Sequence, residues 1–185
     1  SMPFMAADHP SIQLGLLKAV VAGHGFPVRT LHANLDFAAR IGLPRYHALC
    51  EQRGRLVGEW LFSPAAFGSA APDPQGRLLQ RFAAELSYLT RSFGRLPEQL
   101  LRVRDHDVPA YLDALVDAYP WSDARVVAFS STYQQNTASF ALARRLKGRF
   151  PHLVTVFGGA NFDGEMGPEL VRTVDCVDLA VTGEG

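Results

Sequence analysis

A loop of uncharged polar residues in the last third of the chain has the side chains needed to bind a small ligand. This segment, called the Ser130 loop, contains Ser130, Ser131, Thr132, Gln134, Gln135 and Asn136. Hydroxyl and amide groups can hydrogen-bond an amide, a ribose hydroxyl or a heterocycle without needing a charge on the ligand. Serine and asparagine also form local turns and helix caps. The residues alone therefore allow a ligand-binding or a structural interpretation.

Two glycine-containing loops follow. The Gly158 loop contains Gly158, Gly159, Ala160 and Asn161, and the last loop contains Gly183, Glu184 and Gly185. Glycine lacks a Cβ, so paired glycines let a ligand approach the backbone closely and let the chain adopt positive φ. Residues 164–167 open a predicted helix, near which free N–H groups could stabilise a ligand phosphate.

Alternating strands and helices are predicted to position these three loops. Apolar runs predict strands at 125–129, 153–157 and 177–181, and helical spacing predicts helices at about 136–150 and 165–174. Strands that alternate with helices form parallel sheets with right-handed crossovers. All three loops are therefore expected at the carboxyl edge of one sheet, where open α/β folds bind ligands.

The N-terminal part is predicted to add a helix, two short strands and a helical region. Ser11 is a favourable N-cap for the helix. Short apolar segments at 2–5 and 27–32 predict strands. From about 34 to 121 the apolar residues are spaced as helix faces, which indicates a helical insertion. Residues 1–185 are thus predicted to form one α/β domain.

Composition excludes several classes of partner. The chain has 18 Lys and Arg residues and 18 Asp and Glu residues, without a run of like charge. We therefore expect no nucleic-acid partner and no anionic membrane partner. No apolar stretch approaches the roughly 18 residues that span a bilayer, and no secretory signal is recognisable. A cytoplasmic location is expected.

The two cysteines do not form a recognisable site. Cys50 and Cys176 are far apart, so the sequence contains neither a disulfide framework nor a CxxC metal motif. An iron–sulfur cluster usually needs three or four thiolates and cannot be built within this chain. Both residues are expected to be buried as small apolar side chains.

Catalytic and metal-binding patterns are weak. The Asp105-His106-Asp107 triplet could orient an imidazole, but no nucleophile is placed near it, and a solvated surface role is favoured. His9 follows Asp8 in a loop, where a solvent-exposed histidine is the simpler interpretation. The remaining histidines lack metal-ligand spacing. Phosphate-binding and dinucleotide-binding glycine motifs are missing. We predict no catalytic residue and no metal ligand.

The order of motifs along the chain resembles a known protein family. The segments are MPF at 2–4, PSIQLGLLK at 10–18, NLDFA at 34–38, GEWLF at 58–62, FSSTYQQN at 129–136, FGGAN at 157–161 and GEG at 183–185. Together they resemble the N-terminal region of the radical SAM C-methyltransferases that mature ribosomally made peptides (RiPPs), including bacteriocins. The resemblance covers essentially the whole chain.

The resemblance implies a cofactor and a set of partners. In that family this region resembles a cobalamin-binding Rossmann-like domain, with helices on both faces of the sheet. A radical SAM barrel follows, which uses S-adenosylmethionine and a [4Fe-4S] cluster. The resemblance implies cobalamin at the carboxyl edge, with its nucleotide tail between the Ser130 loop and the Gly158 loop. The partners would be the chain's own radical SAM domain and a peptide substrate.

Two departures from related patterns matter. Many cobalamin proteins supply an axial histidine from a D-x-H-x-x-G loop, but aligning its histidine on His9 places Ala7 and Ile12 where Asp and Gly belong. We therefore expect a base-off cobalamin without a histidine ligand from this chain. The chain up to Gly185 also lacks a cluster motif, so by itself it is not expected to be a radical SAM enzyme.

Two alternatives to a cobalamin domain are open. One is a degenerate Rossmann-like module that has lost cobalamin and contacts the peptide substrate or the barrel through its helical insertion. The other is a stand-alone nucleotide or sugar-nucleotide enzyme. The second alternative lacks the charged residues expected for phosphate recognition and for general acid–base chemistry.

Overall fold

The computed structural model describes residues 1–51 and 54–183, which form an α/β chain with many helices and a small parallel sheet. The longer helices are α1 Ile12–Gly23, α2 Ala33–Ile41, α3 Leu43–Glu51, α4 Val57–Phe67, α9 Val108–Ala118, α10 Asn136–Arg149 and α11 Met166–Thr173. The shorter ones are α5 Arg77–Arg81, α6 Ala83–Leu86, α7 Thr90–Phe93 and α8 Leu96–Arg102. The strands are β1 Val126–Ser130, β2 Val154–Gly158 and β3 Leu179–Ala180.

The sheet has the strand order β1-β2-β3, and both pairs are parallel. Ser130 is opposite Gly158, and Val156 is opposite Leu179. The three strands and the two helices between them confirm the alternation predicted for the last third of the chain. Because the strand order advances in one direction, right-handed crossovers place α10 and α11 on the same face.

Aromatic residues form the core between this face and α10. The rings of Phe129 and Phe157 stack with centroids 4.6 Å apart. The ring centroid of Phe140, from α10, lies 5.6 Å from the ring centroid of Phe157. The ring centroid of Phe162 lies 5.2 Å from that of Phe157. Strand side chains alternate between the two faces of a sheet, so the aromatic residues of β1 and β2 point together towards α10.

The opposite face of the sheet, called the outer face, is apolar and exposed. Val126, Val154, Leu179 and Val181 are 54%, 38%, 55% and 43% exposed. Parallel sheets are usually covered on both faces. Helices on both faces of the sheet were expected. In the described ranges the two crossover helices, α10 and α11, instead share one face, because the strand order β1-β2-β3 advances in one direction. The Rossmann-like part of the fold prediction is therefore not established.

The predicted strands at 2–5 and 27–32 are wrong, because neither segment has strand pairing in the structure. Residues 2–5 instead form a turn whose side chains enter the helical core. Phe4 packs 5.9 Å from Phe37 and 6.0 Å from Phe62, and Tyr46 donates a 2.5 Å hydrogen bond to the Met5 carbonyl. In residues 2–5, packing of isolated apolar side chains has overridden the local strand pattern.

The helical region predicted at about 34–121 is helical, with α2 to α9 packed around an aromatic cluster. The ring centroid of Phe37 lies 5.2 Å from that of Phe62 and 4.9 Å from that of Tyr111. α4 packs against α10, which joins this helical layer to the sheet. The predicted N-terminal helix is also confirmed as α1, and the amide of Leu14 donates to the Ser11 hydroxyl at 3.3 Å.

Candidate ligand-binding edge of the sheet

The Ser130 loop and the Gly158 loop meet at the carboxyl edge of the sheet. The Ser131 amide donates to the Gly158 carbonyl at 2.8 Å, and the Asn161 amide donates to the Ser131 carbonyl at 3.3 Å. The last loop adjoins them, because the Gly183 amide donates to Asp163 at 3.0 Å. The described parts of the three loops therefore lie at one edge, and their role in binding a ligand stays a prediction. Glu184 and Gly185 lie outside the described residues.

Hydroxyl and amide groups of the two loops bind one another. Ser131 is fully buried and donates to the Asn136 side-chain oxygen at 2.7 Å. The Asn161 side-chain amide donates to the Ser131 hydroxyl at 3.1 Å, and also to the Thr132 carbonyl. Buried polar groups need such partners. These hydrogen bonds hold the loops together, so the structural interpretation applies to this part of the Ser130 loop.

The two glutamines of the Ser130 loop connect it to the rest of the chain. Gln134 is 2% exposed, and its side-chain oxygen accepts the Gly58 amide at 2.8 Å. Gln135 is also 2% exposed and donates to the Met2 carbonyl at 2.6 Å. The side chains that were predicted to bind a ligand thus anchor the N-terminal turn and the start of α4.

The N-terminus of α10 is capped by a carboxylate from α4. Glu59 accepts the Asn136 amide at 3.0 Å and the Thr137 amide at 2.7 Å. A carboxylate satisfies the free N–H groups of a first helical turn and interacts favourably with the helix dipole. Sequence reasoning missed this role. Glu59 is the only charged residue of α4, and this isolation in an apolar helix was the signal that could have identified it.

The space between the two loops is closed by direct contact. Gly159 has φ 93° and ψ 179°, a conformation open essentially only to glycine. A Cβ at Gly159 would lie 2.5 Å from the Ser131 carbonyl oxygen. Close approach of the chain to itself therefore requires this glycine. The nucleotide tail of a corrinoid does not fit between the Ser130 and Gly158 loops in this conformation.

A carboxylate also lies near the start of α11, where a ligand phosphate was expected. Asp163 accepts the Gly164 amide at 2.8 Å and the Gly183 amide at 3.0 Å. These N–H groups therefore have an acidic partner from the chain itself. The side chain connects the segment after β2 to the segment after β3.

An outer rim of small residues remains accessible at this edge. Gly159, Ala160 and Gly183 are exposed. Gly159 and Gly183 both have positive φ, 93° and 75°. The backbone of these three residues is therefore accessible from outside, whereas the groups between the loops are not.

Other sequence candidates lie away from this edge. His9 pairs with Asp8 at 3.0 Å on the surface. His106 lies in the π-helix Val103–Asp107, where Asp105 pairs with Arg104 at 2.7 Å. Within residues 1–51 and 54–183, no group of three or more His, Cys, Asp or Glu side chains is arranged to hold a metal ion.

Two further observations bear on the surface of the molecule. A cavity of about 450 Å³ opens between α2 and α9, next to Asp36, Arg40 and Tyr119, and is separate from the carboxyl edge. In the part of the chain that the structure describes, none of the helices has the length and apolar character needed to cross a membrane.

Comparison with known proteins does not identify a relative. No family model, no curated protein and no solved structure matches the chain. The motif order of the sequence and the carboxyl edge of the sheet are therefore the features that bear on its function.

Proposed function

We propose that this chain is the N-terminal cobalamin-binding domain of a radical SAM enzyme that C-methylates a ribosomally synthesised peptide. The observation that carries the proposal is the meeting of the Ser130 loop, the Gly158 loop and the Gly183 turn at one edge of a parallel sheet. Ligands of open α/β folds bind outside the carboxyl ends of the strands. The choice of cobalamin as the ligand follows from the family resemblance of the motif order in the sequence.

The proposed contact differs from the one implied by the resemblance. Because the interior polar groups have partners within the chain, the backbone of Gly159, Ala160 and Gly183 would hold the corrinoid on the outer rim. The cofactor, when bound, would supply a methyl carrier. This chain's residues would bind and orient it in the base-off form, without an axial histidine. The Rossmann-like arrangement of the whole domain belongs to the same proposal.

The proposal includes the setting of the full enzyme. The radical SAM domain, with S-adenosylmethionine and a [4Fe-4S] cluster, would cover the carboxyl edge from the other side, and the peptide substrate would enter between the two domains. The enzyme would work in the cytoplasm. Nucleic acid and membrane are not among the proposed partners, in keeping with the balanced charge of the sequence.

The experiment is a binding titration with hydroxocobalamin, read by the visible spectrum of the protein after desalting and by equilibrium dialysis. We expect the chain to retain the corrinoid. The variant Ala160→Phe should lower retention several-fold, because it places a ring on the outer rim. Ala84→Phe is the matched control, since Ala84 is an exposed alanine of the helical layer. No binding by the chain, or equal binding by both variants, would overturn the proposal.

One observation favours a second function, a degenerate module that positions the peptide or the barrel. The side chains of Ser131, Gln134 and Gln135 are buried and hydrogen-bonded within the chain. Such a module would bind the substrate peptide, and fluorescence anisotropy measures the affinity. We expect this affinity to be unchanged in the Ala160→Phe variant and unchanged in the presence of excess cobalamin. Competition between peptide and cobalamin would count against it.

A further inference from the structure

The cavity of about 450 Å³ between α2 and α9 is large enough for a small ligand. Protein interiors contain few voids larger than a water molecule, and ligand pockets measure roughly 300–1,000 Å³. Its floor consists of Ala39 from α2 and of Ala114, Leu115 and Ala118 from α9. The alanine side chains are too short to close the gap between the two helices, so the space stays open.

Two tyrosines line this cavity and are held in place by the chain. Tyr111 is buried, and its hydroxyl donates to the Ala33 carbonyl at 2.9 Å, which joins α9 to the start of α2. Tyr119 follows the last residue of α9 with an extended backbone, as is usual before a proline. Its ring packs edge-on against Trp121, with centroids 5.8 Å apart. The aromatic surface that a ligand would meet is therefore pre-formed.

One acidic and one basic side chain of α2 line the same cavity. Asp36 and Arg40 are both exposed at its border. Their spacing of four residues puts their Cβ atoms about 5–6 Å apart and would allow an ion pair. No carboxylate in residues 1–51 or 54–183 forms an ion pair with Arg40, however. Asp36 instead acts on Tyr119, since burial and the charge of this carboxylate raise the pKa of the Tyr119 hydroxyl above its ordinary value.

We propose that this cavity binds a free α-amino acid with an apolar side chain. Arg40 would bind the α-carboxylate, Asp36 would accept hydrogen bonds from the α-ammonium group, and the alanine floor would bury the side chain. Charge-assisted hydrogen bonds of this type are roughly twice as strong as neutral ones. In a peptide the chain separates the two terminal charges, so a free amino acid is the ligand that presents them side by side.

The helix dipole explains only part of this arrangement. Asp36 in the first turn of α2 and Arg40 in the last turn have the signs that suit the dipole. The dipole does not require that both groups border one cavity, or that the floor between them is apolar. A ligand with both charges and an apolar side chain accounts for all three features. This site is independent of cobalamin binding, because none of its lining residues belongs to the loops of the carboxyl edge.

Saturation-transfer NMR on the whole chain, titrated with L-leucine as the probe, tests the ligand class. We expect saturable binding at millimolar concentration. N-acetyl-L-leucine lacks the ammonium group and L-leucinamide lacks the carboxylate, so each should bind about ten-fold more weakly. No saturable binding of L-leucine would overturn the proposal. Equal binding of L-leucine and either analogue would overturn it as well, because one of the two charges would then not contribute.

Substitutions test whether the probe occupies this cavity. Arg40→Gln should weaken L-leucine binding about ten-fold, and Ala118→Phe should abolish it by filling the floor. Arg91→Gln and Ala84→Phe are the matched controls, exposed residues of the same types that do not line the cavity, and should leave binding unchanged. Thermal unfolding shows whether each variant is folded. If Ala118→Phe unfolds, the surface variant Arg40→Gln decides the test. L-leucine binding that is unchanged by Arg40→Gln would overturn the proposal.

Discussion

The side-chain carboxylate of Glu59 on α4 accepts two hydrogen bonds from Thr137 in the first turn of α10, and the Glu59 backbone carbonyl accepts a third at 2.9 Å. The carboxylate accepts the Thr137 amide at 2.7 Å and the Thr137 hydroxyl at 2.7 Å. In an open α/β sheet the first helical turn after a strand is a natural site for a ligand anion. This chain places its own carboxylate there, so the helical layer and the sheet are fixed relative to each other by the same contact.

The first prediction concerns that contact. Glu59→Gln should lower the free energy of unfolding by about 1–2 kcal/mol, because a charged cap of two amides becomes a neutral one that accepts less strongly. Urea unfolding followed by circular dichroism measures the change. Glu98→Gln is the control, since Glu98 is an exposed acidic residue in the first turn of α8. An equal effect of the two substitutions would show that helix-dipole charge, and not the cap, accounts for the loss.

The second prediction compares two adjacent glycines. Gly159→Ala should destabilise the chain by about 2–4 kcal/mol, because φ 93° is strained for alanine and the new Cβ would lie 2.5 Å from the Ser131 carbonyl oxygen. Gly158→Ala should change stability by less than about 1 kcal/mol, because its Cβ would meet Val181 at an ordinary 3.5 Å. Thermal unfolding of both variants checks the difference. A tolerated alanine at Gly159 would show that the loops can separate.

The same two glycines show what the sequence can and cannot predict. Gly158 is the last residue of β2, and the position of Gly159 after this apolar run correctly predicts a turn at the carboxyl edge, because strand and turn signals are local. The sequence does not reveal that Gly159 faces Ser131 from a neighbouring strand. Ligand approach and chain approach both require a residue without a Cβ, and only the three-dimensional register distinguishes them.

Non-local partners also explain the errors at the N-terminus. Phe4 and Val28 belong to short apolar segments that predict strands, yet Phe4 packs into an aromatic cluster with residues from α2 and α4. The roles of Glu59 and Asp163 depend on the amides of Thr137 and Gly183, which are distant from them in the sequence. Tertiary contacts of this kind override local propensity.

The third prediction concerns acid stability and Asp178. Burial alone would raise the pKa of this carboxyl, but hydrogen bonds from Lys147 and Thr155 hold the pKa below its ordinary value. A lowered native pKa contributes stability above the unfolded value of about 3.9, and this contribution is lost as the pH falls through the native value. Asp178→Asn should therefore lower the free energy of unfolding by about 1–2 kcal/mol at pH 7.

The difference in the free energy of unfolding between the unmodified chain and the Asp178→Asn variant should shrink as the pH falls below about 4. Urea unfolding between pH 2.5 and 7 measures it, with these pH limits chosen as roughly bracketing the carboxyl range. Asp175→Asn is the control, because its side chain is 78% exposed and pairs with Arg144 at the surface. If the difference in the free energy of unfolding between the unmodified chain and Asp178→Asn stays constant across this pH range, the carboxylate charge does not contribute to stability.

The fourth prediction concerns the two thiols. Burial raises the pKa of Cys50 and of Cys176 to about 11, and Cys176 also donates to the Phe140 carbonyl at 3.7 Å. A thiol with this pKa is about a thousandth ionised at pH 8, and the thiolate is the reactive form. Alkylation of the native chain by iodoacetamide at pH 8 should thus be on the order of 100-fold slower than in urea. Mass spectrometry of each cysteine-containing peptide checks this rate, with the urea-unfolded chain as control. Rapid native labelling of Cys176 would mean that the contact between α10 and the segment before β3 opens readily, and that this thiol is available as a nucleophile or ligand.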